Sequence, residues 1–152
     1  MGIFIKDLAA EGMTLQEYSA QVDLWKDKLP TAAYEYAKAP WHYDMQDARC
    51  VHDAWLLSCV FQEASLQEPH VKPTRFNIEI SFLTGLEDHV LKFSYTNVLH
   101  YRLESPNPTE IHSDVYFDEI RLSERDHMIH EILFMSKVRW IIESSGFTFS
   151  FS

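Results

Sequence analysis

Runs of lysine and arginine are missing from this sequence, whose 13 basic and 23 acidic residues give a formal net charge of −10. An acidic surface repels phosphate groups, so this composition argues against binding to nucleic acid. Apolar runs near the roughly 18 residues that a membrane-spanning helix needs are also missing. Lys6 and Asp7 interrupt the apolar start well short of a signal-peptide core. We therefore expect a cytoplasmic protein that contacts neither nucleic acid nor membrane.

Cysteine, glycine and proline are scarce as well, with 2, 4 and 6 residues, which argues against disorder and low complexity. Cys50 and Cys59 are nine positions apart, so on one extended strand they would point to opposite faces. This spacing predicts two reduced thiols that pack as small buried side chains. Glycine-rich phosphate loops and Gly-x-Ser-x-Gly elbows do not occur, so we expect no catalytic residue and no cofactor.

The first third of the chain has a helical pattern. Thr14 and Glu17 have the spacing of a capping box, in which each side chain bonds to the other's backbone. Apolar residues then recur every three or four positions from Leu15 to Leu29, as on one face of a helix. Pro30 interrupts this pattern, and a second short helix is predicted from residue 32 to residue 38.

From residue 50 onward the apolar residues alternate with polar ones, which is typical of half-buried strands. Asn97 interrupts the alternation of a long strand and predicts a bend or bulge there. Further short strands are predicted at 116–122, 128–134, 138–143 and 147–151, with a turn at 144–146 between the last two. The pattern indicates an α+β fold in a single domain, 1–152. N-terminal helices (1–40) pack on a mainly antiparallel, strongly twisted sheet or half-barrel of about six to seven strands (50–151).

The stretch CVHDAWLLSC contains both cysteines and a His-Asp pair. On a strand, Trp55 would lead a buried face with Leu57, Cys59 and Phe61. His52 and Asp53 are predicted to form the turn that precedes this strand, with Asp53 capping backbone amides and His52 bonded to a neighbouring strand. Whether this pair is structural or functional stays open. The His-Asp metal phosphohydrolases need further histidines on helices, and the sequence after His52 is not helical in pattern.

The histidines do not predict a metal centre. On a helix His127 and His130 would share a face, but the alternation of His130, Ile132 and Phe134 favours a strand. An odd spacing on a strand places His127 and His130 on opposite faces. The 8 histidines of the chain lack the spacing of known ligand sets, so we expect no metal.

The second part of the chain, residues 50–151, resembles small bacterial proteins in which a His-Asp-Ala or His-Asp-Ser start is followed by alternating strands. An Asn-Val strand, here Asn97-Val98, lies in their middle. The segments that carry the resemblance are VHDAWLLSCVFQ, FNIEISF, VLKFSYTNVLHYRL, DVYFDEIRL, MIHEILF and VRWIIESSGFTFSF. Several such families look like immunity proteins encoded beside polymorphic or contact-dependent toxins. The resemblance implies a non-catalytic protein that neutralises a toxin by direct binding.

Acidity fits this expectation, because toxins that are nucleases are basic and an acidic surface steers association with them. The acids expected to face solvent and bind such a partner flank the predicted strands: Glu87, Asp88, Asp114, Asp118, Glu119 and Glu124. An ordinary solvated face would have the same composition. The alternative function is an enzyme or small-ligand-binding domain with a pocket between the helices and the sheet.

Overall fold

The computed structural model describes residues 12–64, 72, 75–86, 89–107 and 111–152, which form two helices and six strands. The helices are α1 (Leu15–Leu24) and α2 (Thr31–Lys38). The strands are β1 (Trp55–Ala64), β2 (Arg75–Leu83), β3 (Val90–Leu103), β4 (Val115–Leu122), β5 (Met128–Phe134) and β6 (Arg139–Phe151). The expected α+β class with an antiparallel sheet is confirmed.

Local sequence chemistry fixes the start of α1. The Thr14 hydroxyl accepts a hydrogen bond from the Glu17 amide at 3.1 Å, and the Glu17 carboxylate accepts one from the Thr14 amide at 3.2 Å. The predicted capping box is therefore confirmed. α1 ends at Leu24, earlier than the apolar stripe does, and Leu29 is buried beyond the end of the helix.

The sheet consists of two three-stranded meanders. Its strand order is β1-β2-β3-β6-β5-β4, and all five neighbouring pairs are antiparallel. β3 and β6 are the longest strands and join the two meanders through one ladder. β1 and β4 are consequently the two outer strands, although neither lies at an end of the chain.

Both central strands depart from regular geometry near the same place. Asn97 has a φ of 52°, and the β3–β6 register shifts between Val98 and His100, so the predicted bend near Asn97 is confirmed. The predicted turn at 144–146 is wrong, because β6 continues through it. Gly146 lies opposite Thr96, and a Cβ on Gly146 would overlap the Thr96 hydroxyl. Glycine here therefore permits close approach of two strands.

One face of the sheet carries most of the core. Side chains that are fully buried on this face, called the inner face below, include Ile78, Ile80, Phe82, Phe93, Tyr95, Ile120, Ile132 and Ile142. Tyr36 of α2 packs edge-on to Phe93, with ring centroids 5.1 Å apart. Aromatic side chains of the helical part and the sheet thus form a shared core.

The prediction that Trp55 leads a buried face is wrong. Trp55, Leu57 and Phe61 are 51%, 53% and 51% exposed, whereas Cys59 is half-buried. β1 is an outer strand with one neighbour, and its register shifts between Leu56 and Ser58. An outer strand buries its side chains only where other elements cover it, and these side chains of β1 stay half exposed although the sequence alternates. Cys50 is buried, and both cysteines are free thiols.

Candidate functional site

A buried group of polar side chains surrounds the carboxylate of Asp118. His42 Nε2 lies 2.8 Å from Asp118 Oδ1, and His130 Nε2 lies 2.8 Å from Oδ2. The Tyr36 hydroxyl donates to Oδ2 at 2.7 Å, and the Tyr95 hydroxyl lies 2.7 Å from His130 Nδ1. All five side chains are at most 1% exposed. We refer to these five residues as the Asp118 cluster.

The hydrogen bonds assign the protons in this cluster. A carboxylate can only accept, so the Nε2 atoms of His42 and His130 both carry hydrogens. Burial, followed by the charge of Asp118, raises the pKa of Tyr36 well above its ordinary value, and burial also raises the pKa of Tyr95. Both hydroxyls therefore remain protonated donors, and Tyr95 donates to His130 Nδ1. Burial lowers the pKa of His130 more than its bond to Asp118 raises it, so His130 is neutral.

Asp118 is ionised despite its position in the core. Burial raises the pKa of Asp118, but the charge of His42 and the hydrogen bonds from His130 and His42 outweigh it. The pKa of this carboxyl is therefore held well below its usual range. The cluster connects α2, the segment after α2, and strands β3, β4 and β5. Its geometry supports a structural role, fixing the helical part to the sheet.

A thiol lies beside the cluster, so the composition resembles that of a Cys-His-Asp catalytic triad. The Cys50 Sγ–H donates to the backbone carbonyl of His42 at 3.1 Å instead of bonding to its ring. Burial raises the pKa of Cys50 to about 11, which disfavours the reactive thiolate. His42 Nδ1 is buried and has no hydrogen-bond partner within the described residues, and His42 also lines a cavity of about 10 Å³. That volume holds about one water and admits no substrate.

Two histidines and an aspartate also suggest a metal site, but their geometry does not suit one. His42 and His130 direct protonated nitrogens at Asp118, whereas a metal needs the lone pair of an imidazole nitrogen. Across the described part of the chain, no three or more His, Cys, Asp or Glu side chains are arranged to hold a metal ion.

On the opposite, outer face of the sheet, a second charged group is buried. The Arg121 guanidinium donates to Glu119 at 3.2 Å and to Glu131 at 2.8 Å. Arg139 donates to the other oxygen of Glu131 at 3.1 Å. Glu119, Arg121 and Glu131 are at most 2% exposed, so these charges compensate one another inside the protein.

The expectation that Asp118 and Glu119 face solvent is therefore wrong, because internal donors bind both carboxylates. Glu124 is exposed in the turn after β4, and Asp114 is half-buried immediately before β4. These two acids lie at opposite ends of a strand, roughly 30 Å apart by the rise per residue, so they do not form one patch. The remaining predicted acids, Glu87 and Asp88, lie outside the described residues.

Sequence reasoning missed the Asp118 cluster although the alternation of β4 contains a signal for it. Asp118 has the same parity as Ile120 and Leu122, and β5 places His130 in the same pattern as Ile132 and Phe134. Two adjacent antiparallel strands with one acid and one histidine on their apolar faces are candidates for a buried pair.

His52 and Asp53 form a turn before β1, as predicted, and Asp53 has a φ of 64°. Among the described residues, the Asp53 carboxylate lies 3.1 Å from His52 Nδ1 and accepts no hydrogen bond from a backbone amide, so the predicted capping is not found there. The Asp53 amide donates to the carbonyl of Val115 at 2.8 Å, and the Val115 amide donates to Ala54 at 2.9 Å. The pair thus lies where the chain before β1 meets the start of β4, which is a structural position.

A group of exposed apolar side chains follows β1. Trp55, Leu57, Val60 and Phe61 are each about half exposed, at 49–53%. Trp55 also lines a cavity of about 510 Å³ together with Asp114 and four other residues: Leu56, Ile111, His112 and Ser113. Large apolar side chains grouped on a surface mark interaction sites more often than singly scattered ones do. We refer to the four apolar side chains of β1 as the β1 surface.

An aromatic group extends the β1 surface over β2 and β3. Phe61 stacks on Phe76 with ring centroids 5.8 Å apart and an interplanar angle of 11°. Tyr101, which is 46% exposed, lies 5.7 Å from Phe61 and 5.2 Å from Phe76. Phe61 lies opposite Ile78 in the β1–β2 ladder, so these rings belong to the inner face, beyond the part that the helices contact.

Acids outnumber bases beside the β1 surface. Asp53 precedes β1, and Glu63 belongs to strand β1. Glu79 lies opposite Val60 in the ladder, and Asp114 borders the cavity at Trp55. Among the described residues that pair with β1, Arg75, opposite Ala64 at the far end, is a base. The local charge therefore has the same sign as the charge of the whole chain.

Comparison with family models, curated proteins and solved structures yields no significant match to this chain. Neither helix in the described residues is long and apolar enough to cross a membrane.

Proposed function

We propose that this chain is a non-catalytic binding protein whose partner is a basic polypeptide, held at the β1 surface. The observation that carries the proposal is the exposure of Trp55, Leu57, Val60 and Phe61 on one outer strand. Aromatic side chains of this kind are enriched at the centres of protein interfaces, where they contribute much of the binding energy. Burying them against a partner removes apolar area from water, at roughly 25 cal/mol per Å² before the costs of association.

The charge of the molecule favours a basic partner. The chain has a formal net charge of −10, and four acids lie beside the β1 surface. Complementary charge steers association and raises its rate, whereas two copies of an acidic chain repel each other. A partner of opposite sign is therefore favoured over a second copy of this chain.

An immunity protein is the specific form of this proposal, and its partner would be a basic toxin. Acidity and the resemblance of residues 50–151 to such proteins support it. Asp114 remains a candidate contact residue, since it borders the cavity at Trp55, and Glu124 remains exposed. Asp118 and Glu119 leave the candidate set because both are buried. Co-expression with the toxin domain encoded beside this gene should protect cells, and failure to protect them would exclude this form.

The proposed binding surface belongs to a strongly twisted half-barrel with the N-terminal helices on its inner face. The two bonds between residues 53–54 and Val115 support this shape, because they bring the start of β1 to the start of β4 across the whole sheet. The bonds from Tyr36 and His42 to Asp118 support the position of the helical part.

The alternative function requires a ligand pocket between the helices and the sheet. The cavity that His42, Tyr43 and Asp118 line in that region has a volume of about 10 Å³. Small ligands occupy roughly 300–1,000 Å³, and the cavities of about 450 and 510 Å³ lie elsewhere, at the β4–β5 turn and beside Trp55. The binding-protein proposal therefore fits the described residues better.

Affinity measurements on β1 variants test the proposal. A partner captured from the source cells must first be purified. Its affinity for the chain is then measured by titration at low and high salt. Phe61→Ala and Trp55→Ala should each weaken binding by about thirtyfold, the loss expected at the centre of an interface. Leu24→Ala on α1, where the side chain is 77% exposed, is the matched control and should change binding less than about twofold. Equal effects at β1 and Leu24, or affinity that does not weaken with salt, would contradict the proposal.

A further inference from the structure

We infer that the partner adds a β-strand to the free edge of β1, an inference that rests on the proposed function and specifies its geometry. β1 forms a ladder with β2 on one side. On the other side, Asp53 and Ala54, which precede β1, form backbone hydrogen bonds with Val115, and these bonds end at Ala54. From Trp55 onward, no described residue pairs with the outward backbone groups of β1. In an antiparallel ladder alternate residues direct both the amide and the carbonyl away from the neighbour, so an outer strand offers a row of donors and acceptors.

The opposite edge of the sheet, β4, has hydrogen-bond partners from the helical part, in contrast to the outer edge of β1. Along β4, the Tyr18 hydroxyl donates to the carbonyl of Ile120 and accepts from its amide at 3.1 Å. The Tyr43 hydroxyl donates to the carbonyl of Asp118 at 3.0 Å. Side chains from the helical part thus satisfy the outer backbone of β4. No such hydroxyl contacts β1 among the described residues.

β1 also has few of the features that usually block pairing at an outer strand. Its sequence, WLLSCVFQEA, contains no proline, lysine or arginine, and Glu63 is its only charge. The register shift between Leu56 and Ser58 is the one irregularity of the β1–β2 ladder. Ser58 to Ala64 remain regular beyond it and offer seven residues for pairing.

The exposed side chains lie on both faces of β1. Phe61 lies opposite Ile78, which is fully buried on the inner face, whereas Val60 lies opposite Glu79, which is exposed on the outer face. A partner lying flat on the sheet would cover one of these faces. A strand beside β1 places its own alternating side chains against both.

The chemistry on each face specifies the occupant. On the inner face, the rings of Phe61, Phe76 and Tyr101 lie near Glu63, which is opposite Phe76 in the ladder. A lysine or arginine contacting these rings would gain both cation–π attraction and proximity to the carboxylate. On the outer face, Val60 favours an apolar side chain. The occupant is therefore an extended basic segment in which cationic and apolar residues alternate.

A synthetic peptide of eight residues, alternating lysine and valine, is the probe for this inference. Its affinity is compared with that of the same peptide methylated on every backbone nitrogen, which keeps the side chains but removes the hydrogen-bond donors. We expect methylation to weaken binding at least tenfold. We also expect the unmodified peptide to slow hydrogen exchange at alternate amides between Ser58 and Ala64. Glu63→Lys should weaken binding of the unmodified peptide, whereas Glu35→Lys, at an exposed acid of α2, should leave it nearly unchanged.

The outcomes separate this inference from the proposed function. If both peptides bind equally and Phe61→Ala weakens both, the binding surface is correct and strand addition is wrong. If neither peptide binds, the inference is overturned, while titration of a purified basic partner still decides the proposed function. If the chain alone forms a dimer by light scattering, with exchange already slow at residues 58–64, a second copy occupies the edge and the basic segment is excluded.

Discussion

Nε2 of His42 lies 2.8 Å from Oδ1 of Asp118 inside the core, although 76 positions separate the two residues in the chain. This contact, together with those from Tyr36 and His130, holds an ionised carboxylate whose side chain is only 1% exposed. A buried charge of this kind is tolerated only while all its partners remain in place.

Asp118→Asn should therefore destabilise the protein by about 3–5 kcal/mol, the usual cost of removing one partner from a buried charged group. The side-chain nitrogen of the new asparagine would also point at another hydrogen-bond donor, either His42 or the pair His130 and Tyr36. Urea denaturation at neutral pH measures the change. Glu124→Gln removes an exposed acid and should stay within about 0.5 kcal/mol of the unmodified protein. Equal midpoints for the two variants would show that the Asp118 cluster is not needed for stability.

Stability should fall as the pH is lowered below about 6.5. The native pKa of His130 is depressed by burial, so the unfolded chain binds a proton near pH 6.5 that the native protein does not bind. Between the unfolded and the native pKa of such a group, the free energy of unfolding falls by up to about 1.4 kcal/mol for each pH unit. Below about pH 4 the depressed pKa of Asp118 adds a second loss of the same sign.

Denaturation midpoints between pH 8 and pH 4 measure this dependence. His130→Gln removes one titrating group and should flatten the profile between about pH 6.5 and 5, despite a lower overall stability. A profile as steep in the variant as in the unmodified protein would assign the acid sensitivity to other groups.

The Cys50 thiol should resist alkylation in the native protein. Burial raises its pKa to about 11, and its sulfur is enclosed beside the Asp118 cluster. Iodoacetamide at pH 8 followed by peptide mass spectrometry should show modification of Cys50 only after denaturation. Half-buried Cys59, whose pKa burial also raises, should react at an intermediate rate. Labelling of native Cys50 as fast as that of the denatured chain would show that the site is open to solvent.

Gly146→Ala should destabilise the protein by about 1–3 kcal/mol, because the new Cβ overlaps the Thr96 hydroxyl across the β3–β6 ladder. A double-mutant cycle with Thr96→Ala isolates this contact. The double variant should recover most of the loss, and Thr96→Ala alone should have a small effect, since Thr96 is exposed. Additive effects of the two substitutions would contradict the steric explanation.

Several elements follow from short stretches of sequence. The reciprocal bonds of Thr14 and Glu17 need four consecutive residues, and the predicted strand at 128–134 has the observed bounds of β5. Asn97 marks the bend of β3 because its short polar side chain tolerates a positive φ. In each case, the interactions that decide the structure lie within one element or one turn.

Other features could not be read from local pattern. The alternation of β1 predicts a buried Trp55, but burial of an outer strand depends on which other elements cover it. β1 and β4 are both outer strands, and side chains of the helical part contact β4, whereas Trp55 is 51% exposed. The residues Ser144 to Gly146 have turn chemistry, yet pairing with β3 over the whole length of β6 keeps them extended.

The sequence by itself determined the class of fold, the helical start, the run of antiparallel strands and the net acidity. Composition, periodicity and capping are sufficient for these features, because each depends on residues close together in the chain. Only the tertiary structure decided that Asp118 is buried between two histidines, that Glu119 pairs with Arg121, and that no described residue pairs with the outer edge of β1. These outcomes depend on which strands become neighbours, and the pairing of β3 with β6 that sets the order joins residues up to 60 positions apart, as Leu91 and Phe151 are.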